Sequence, residues 1–94
     1  MSDVLDEAAI RSELARYPDW TYDGDAIART FDRGDFNGSI AFVNAVAAAA
    51  NRIDHHPDIT LAWNEVTLRT SSHDVRGISP RDFALIAAIE ALAR

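Results

Sequence analysis

The sequence predicts an α+β fold, a four-stranded antiparallel sheet with three helices on one face, in the order α-β-β-α-β-β-α. Three observations lead there. The apolar spacing along the 94 residues switches repeatedly between a helical period and a period of two. Turn-forming pairs, Asp23-Gly24 and Trp63-Asn64, interrupt each of the two extended stretches. Helix boundaries are marked by Asp6, Pro18 and Ser79-Pro80.

The first helix is expected over residues 7–16. Asp6 is a good N-cap, Leu5 and Ile10 flank it with the spacing of a hydrophobic staple, Ile10 and Leu14 share one face, and Pro18 ends it. Trp20-Thr21-Tyr22 then forms a strand, Asp23-Gly24 turns it, and residues 26–31 return as its hairpin partner. Gly34 and Asp35 close that hairpin. Over residues 36–53 the spacing is helical, with two stripes: Phe36, Ile40, Val43, Ala47 and Ala50 on one, Phe42, Val46, Ala49 and Ile53 on the other. One stripe covers the sheet and the other is free to meet a neighbouring helix. A third strand over residues 58–62 turns at Trp63-Asn64 into a fourth over 65–71, where Val66, Leu68 and Thr70 alternate with Thr67, Arg69 and Ser71. Ser79 as N-cap and Pro80 at the first helical position open the last helix, which carries Phe83, Ile86, Ile89 and Leu92.

The length suits a single domain over residues 1–94, and no repeat or linker divides it. A chain this short buries only about 60–70 % of its unfolded surface. With no cysteine to add a disulfide, a core shared between copies is expected. Nine basic against fifteen acidic residues give a formal charge of −6, the wrong sign for neutralising phosphates, so direct nucleic-acid binding is disfavoured. The first residues lack the basic and apolar runs of a signal peptide, and no apolar stretch is long enough to span a membrane, so a cytoplasmic location is expected.

Chemistry near neutral pH points to the three histidines, His55, His56 and His73. Neighbours in an extended segment point in opposite directions, so His55 and His56 serve one site only if the chain bends there or one positions the other. The second hairpin, pairing near residues 57 and 72, returns His73 to their side. Adjacent histidines do not readily share an ion, and no HxH, HxxxH or cysteine pair is present, so no metal is expected. Ser71-Ser72-His73-Asp74 holds triad residue types in one run, whereas triads are assembled from separated segments. Asp82 falls at the third position of the last helix, where an acid caps the helix and meets its dipole. Trp63 reads either as a ligand-stacking platform or as hairpin packing.

His55-His56-Pro57, the aromatic Trp63, His73 and Asp82, at this spacing, resemble the signature of the pterin-4a-carbinolamine dehydratases. The flanks are similar too: Trp20, Phe31 and Phe36, the alanine-rich helix running into Asp54, Ser72-His73-Asp74, and the run from Gly77 to Phe83. One position departs: where the family commonly has an acid four residues before the first histidine, this chain has Asn51, with Asp54 as the nearby carboxylate.

The resemblance implies an enzyme that converts 4a-hydroxytetrahydropterin, the product of aromatic amino acid hydroxylases, to quinonoid dihydropterin and water, in tetrahydrobiopterin recycling. It implies no metal or cofactor, a homodimer or homotetramer, and a functional link to such a hydroxylase. His55 and His73 are implied as the acid/base pair at the 4a-hydroxyl and His56 as the group that holds and polarises the pterin. Asp54, Trp63, Ser72 and Asp82 are implied on the substrate-binding side, Asp82 orienting a histidine and Trp63 walling the ring. A second function is implied as well, a non-catalytic dimerisation or coactivator module acting through a protein partner.

Overall fold

Asp6 opens the first helix, α1 (Glu7–Leu14), by accepting the Ala9 N–H at 2.8 Å. The computed structural model describes residues 4–93. Ile10 is buried and Leu5 packs against the core, as a staple requires. The helix stops at Leu14, short of residue 16, because its last turn tightens: Arg16 and Tyr17 donate to the carbonyls of Glu13 and Leu14, three residues back.

Four strands follow in two hairpins, β1 (Thr21–Tyr22) with β2 (Ile27–Asp32) and β3 (Asp58–Ala62) with β4 (Glu65–Thr70). They form one antiparallel sheet in the order β1-β2-β4-β3. The two central strands therefore come from different hairpins, and β2 against β4 joins the halves of the chain. β2 begins one residue later than expected because the Ala26 N–H is spent on the turn, donating to Asp23 Oδ1 at 2.9 Å. β4 ends at Thr70, where the chain leaves for a 3-10 turn, His73–Val75, closed by a bridge between Ser72 and Gly77. In consequence the register pairs Asp58 with Arg69, which sets residue 57 opposite 70 rather than 72.

The period-two alternation of β4 puts Val66, Leu68 and Thr70 on the inner face, all buried. On the outer face the Thr30 and Thr67 hydroxyls bond to each other at 2.8 Å in an exposed position. All three helices cover the inner face. The long helix α2 (Phe36–Ile53) keeps its expected bounds, with Asp35 accepting the Gly38 N–H at 2.7 Å. Gly38 is required by close approach, since a Cβ there would stand 2.2 Å from the Arg33 carbonyl oxygen. Phe42, Val46 and Ala49 point inward as read from the spacing, joined by Ala50; Ile53 lies beyond the covered part of the helix and is exposed.

The final helix, α3 (Pro80–Ala93), brings Phe83, Leu85, Ile86 and Ile89 into the same core. Burial of each such side chain contributes about 1.5–3 kcal/mol. Trp20, Phe31 and Phe42 meet in series, their ring centroids 5.9 and 4.9 Å apart. Arg29, on the inner face of β2, reaches Glu90 of α3, which also accepts the Trp20 indole N–H at 3.0 Å. No described helix is long and apolar enough to cross a membrane.

Candidate active site

The bend demanded by two adjacent histidines is made where α2 ends. Asp54 takes the left-handed conformation, φ 52 and ψ 44. The Asp54 N–H bonds to the Asn51 carbonyl and the His55 N–H to the Ala50 carbonyl, a Schellman closure of the helix. The chain turns sharply, so His55 goes inward and is buried while His56 stays exposed.

Inside, His55 Nε2 lies 2.7 Å from Asp82 Oδ1. Asp82 is fully buried at the start of α3, and its other contacts fix the proton arrangement. Thr70 donates to Oδ1 at 2.6 Å, Ser72 donates to Oδ2 at 2.8 Å, and the Ser79 N–H donates to Oδ2 at 3.0 Å. With His55, four donors converge on two oxygens, the full complement that an ionised carboxylate accepts. Because Ser72 spends its hydrogen on Asp82, the Ser79 hydroxyl donates to Ser72 at 2.7 Å and in turn accepts the Arg81 N–H at 3.3 Å. Asp82 thus accepts the Ser79 N–H at the start of the helix and lies within hydrogen-bond distance of His55. Held through Nε2–H, His55 keeps Nδ1 without a protein partner among the described residues.

His56 is oriented differently, its Nε2 lying 2.9 Å from Asn51 Oδ1 one turn back on α2. A carboxamide oxygen only accepts, so the ring nitrogen donates. Asn51 therefore holds His56 without a negative charge. His73 begins the 3-10 turn with its side chain exposed. Beside it Arg81 bonds Asp74 at 2.8 Å, and this guanidinium holds the Asp74 carboxyl below the usual carboxylate range.

His55, His56 and His73 line one hollow of about 260 Å³, together with Asp54, Ser71 and Asp74. Asp82 and Ser72 stand behind His55 and do not line it. Trp63 is not brought there: it is 67 % exposed in the β3–β4 turn, a strand length of roughly 20 Å from the histidines at 3.3–3.4 Å per residue. Its wall role has no support within one chain. A larger apolar hollow between α1 and α3, about 560 Å³, contains no histidine. No three His, Cys, Asp or Glu side chains among the described residues are arranged to hold a metal ion.

Sequence reasoning missed Thr70 and read Ser79 only as a cap. The signal for Thr70 was its place in the alternation of β4, a polar residue due to face the core.

The family model for pterin 4 alpha carbinolamine dehydratase matches residues 3–92. A relative from Thermosynechococcus vestitus, provisionally named pterin-4-alpha-carbinolamine dehydratase, is 43 % identical over 93 residues, covering 99 % of this chain and 98 % of its own. One from Nocardia farcinica with the same provisional name is 42 % identical over equal shares. Among solved structures, a transcriptional coactivator/pterin dehydratase from Brucella melitensis superposes with a TM-score of 0.90 at 29 % identity, covering 97 % of this chain and 99 % of that one. A pterin dehydratase-like RuBisCO assembly factor of the alpha-carboxysome shares the fold alone, with a TM-score of 0.64 at 21 % identity over 79 % of this chain and 86 % of that one. With a model matched across nearly its whole length and relatives above two-fifths identity, the chain belongs to the pterin 4 alpha carbinolamine dehydratase family.

Proposed function

We propose that the protein dehydrates a 4a-hydroxytetrahydropterin to quinonoid dihydropterin and water by histidine acid/base catalysis. The observation that supports this best is His55, fixed through Nε2 on the fully buried Asp82 and facing a hollow shared with His56 and His73. In the reaction the C4a–O bond breaks, a proton joins the departing hydroxyl to make water, the N5 proton leaves to a base, and C4a=N5 forms. His55 and His73 serve as the acid/base pair, and His56, steadied by Asn51, holds the pterin. The Asp82 carboxylate fixes the His55 tautomer and balances the ring's charge when it carries a second proton. General acid/base help of this kind is worth about 10²–10⁴-fold.

The test is the absorbance-followed decay of the carbinolamine. The purified protein should accelerate it in proportion to its concentration, and His73→Ala should remove most of the acceleration. A variant as fast as the parent would rule out the proton-transfer scheme.

A second reading, self-association or docking of a protein partner, is favoured by one observation. Phe36 and Ile40 leave 48 % and 39 % of their surfaces exposed on the outer stripe of α2. Sizing chromatography of Ile40→Glu against the parent tests it: a smaller species is expected, and unchanged elution would dismiss this stripe as the contact.

A further inference from the structure

Beyond His73 the histidine hollow has a neighbour. A second hollow of about 430 Å³ shares Ser71 and His73 with it and is lined further by Asp25, Arg69, Ser72, Arg76 and Gly77. Two guanidiniums thus face one carboxylate in this lining, in a chain whose overall charge is −6.

The two arginines differ. Arg69 is paired with Asp23, Nη2 to Oδ2 at 3.1 Å. Arg76 forms no ion pair among the described residues. Its backbone is also costly for a side chain: Arg76 ends the 3-10 turn in the left-handed conformation, φ 55, where glycine is the easy occupant. The turn that carries it is fixed, with the Arg76 N–H on the His73 carbonyl at 3.2 Å and two backbone bonds between Ser72 and Gly77. The Arg76 backbone is therefore fixed one turn from a histidine that lines both hollows, and its guanidinium lines the second hollow without an ion-pair partner among the described residues.

Pterin chemistry says what lies on that side. C6 is bonded to N5, so a group at C6 projects from the same edge as the reacting C4a–N5 bond. With that bond at His55 and His73 and the C6 edge turned towards His73, the C6 substituent would enter the second hollow, which shares Ser71 and His73 with the first. We infer that Arg76 selects the C6 substituent of the substrate and favours one ending in an anion, a carboxylate or a phosphate, which a guanidinium binds through paired hydrogen bonds. The inference rests on the dehydratase reading for its substrate frame.

Two measurements test it. In the first, kcat/KM is compared for 4a-hydroxytetrahydropterins whose C6 group is a neutral dihydroxypropyl, a carboxylate-terminated chain or a phosphate monoester, with the parent protein and with Arg76→Gly, which suits the left-handed backbone. The parent should prefer the anionic substrates by about tenfold, and the preference should fall towards unity in Arg76→Gly. The carboxylate and phosphate arms tell which anion is taken. In the second, quenching of pterin fluorescence gives affinities for unreactive 6-carboxypterin and 6-hydroxymethylpterin, with the same preference expected without turnover. An equal preference in parent and Arg76→Gly, in either measurement, overturns the role of Arg76. Absence of turnover with every substrate overturns the dehydratase reading instead, and the affinities then decide the Arg76 question alone.

Discussion

His55 and His56 are consecutive in the chain and belong to opposite kinds of environment. His55 is 8 % exposed and bound to a carboxylate whose four hydrogen-bond acceptances are all accounted for by protein donors. His56 is exposed and leans on a carboxamide at the surface. The Asp54 bend makes that difference, turning one ring into the core and the other towards solvent. The buried ring is held by groups that also hold α3 to β4, so its position is tied to folding. The rim, with His56, His73 and the Asp74–Arg81 pair, is held by contacts that water and salt weaken.

Breaking the buried side should have the largest effect. Asp82→Ala removes the acceptor of His55, Thr70, Ser72 and the Ser79 N–H together, and denaturant unfolding should show a loss of about 3–5 kcal/mol, since each buried donor left without an acceptor costs about 1–3 kcal/mol. A loss under about 1 kcal/mol would mean that the network does not organise this end of the fold. Thr70→Val removes one donor and leaves Asp82 Oδ1 short by one bond; the same measurement should give about 1–3 kcal/mol. On the rim, Asn51→Asp supplies the acid the family commonly has there. Stability should stay within about 1 kcal/mol of the parent, while the pH profile of turnover moves through His56. An unmoved profile would separate His56 from the reaction.

The smallest effect lies in the acid range. At the first hairpin turn the N–H groups of Ala26 and Asp25, helped by Arg69, lower Asp23 from 3.8 to about 2. A carboxylate depressed by folding stabilises the fold fully above its unfolded value, and that contribution is lost as pH falls through the folded value. Between pH 3.8 and about 2 the parent should therefore lose thermal stability more steeply than Asp23→Asn. Parallel curves would show that the turn contacts do not persist in solution.

Much of this was legible in the sequence, for physical reasons that also mark where reading stopped. The bounds of α2 and β3 follow from local patterns: a two-stripe helical period closed by Asp35 at one end, and a strand set between Pro57 and the Trp63-Asn64 turn. The convergence of His73 on His55 and His56 follows from hairpin topology. The register did not, because it depends on where β4 yields to the 3-10 turn, and that is decided by the short bridge between Ser72 and Gly77, which neither a helical period nor a period of two announces. Asp82 was readable as a helix cap from local spacing and as a histidine partner only through resemblance, since its contacts with His55 and Thr70 span 27 and 12 residues. Trp63 was left open between a ligand platform and hairpin packing because an aromatic in a turn has the same local signature whether it faces a ligand or solvent. Here it takes a positive φ of 51 and faces outward.

His55→Gln is the most direct probe of the difference between the two histidines. Glutamine keeps an N–H for Asp82 but has no group that exchanges a proton near neutral pH. Steady-state dehydration of a 4a-hydroxytetrahydropterin by this variant, alongside its unfolding curve, should show kcat reduced about 10²–10⁴-fold in a protein that still folds. A folded His55→Gln protein that turns over at the parent rate would contradict the assignment of the buried histidine as the working group.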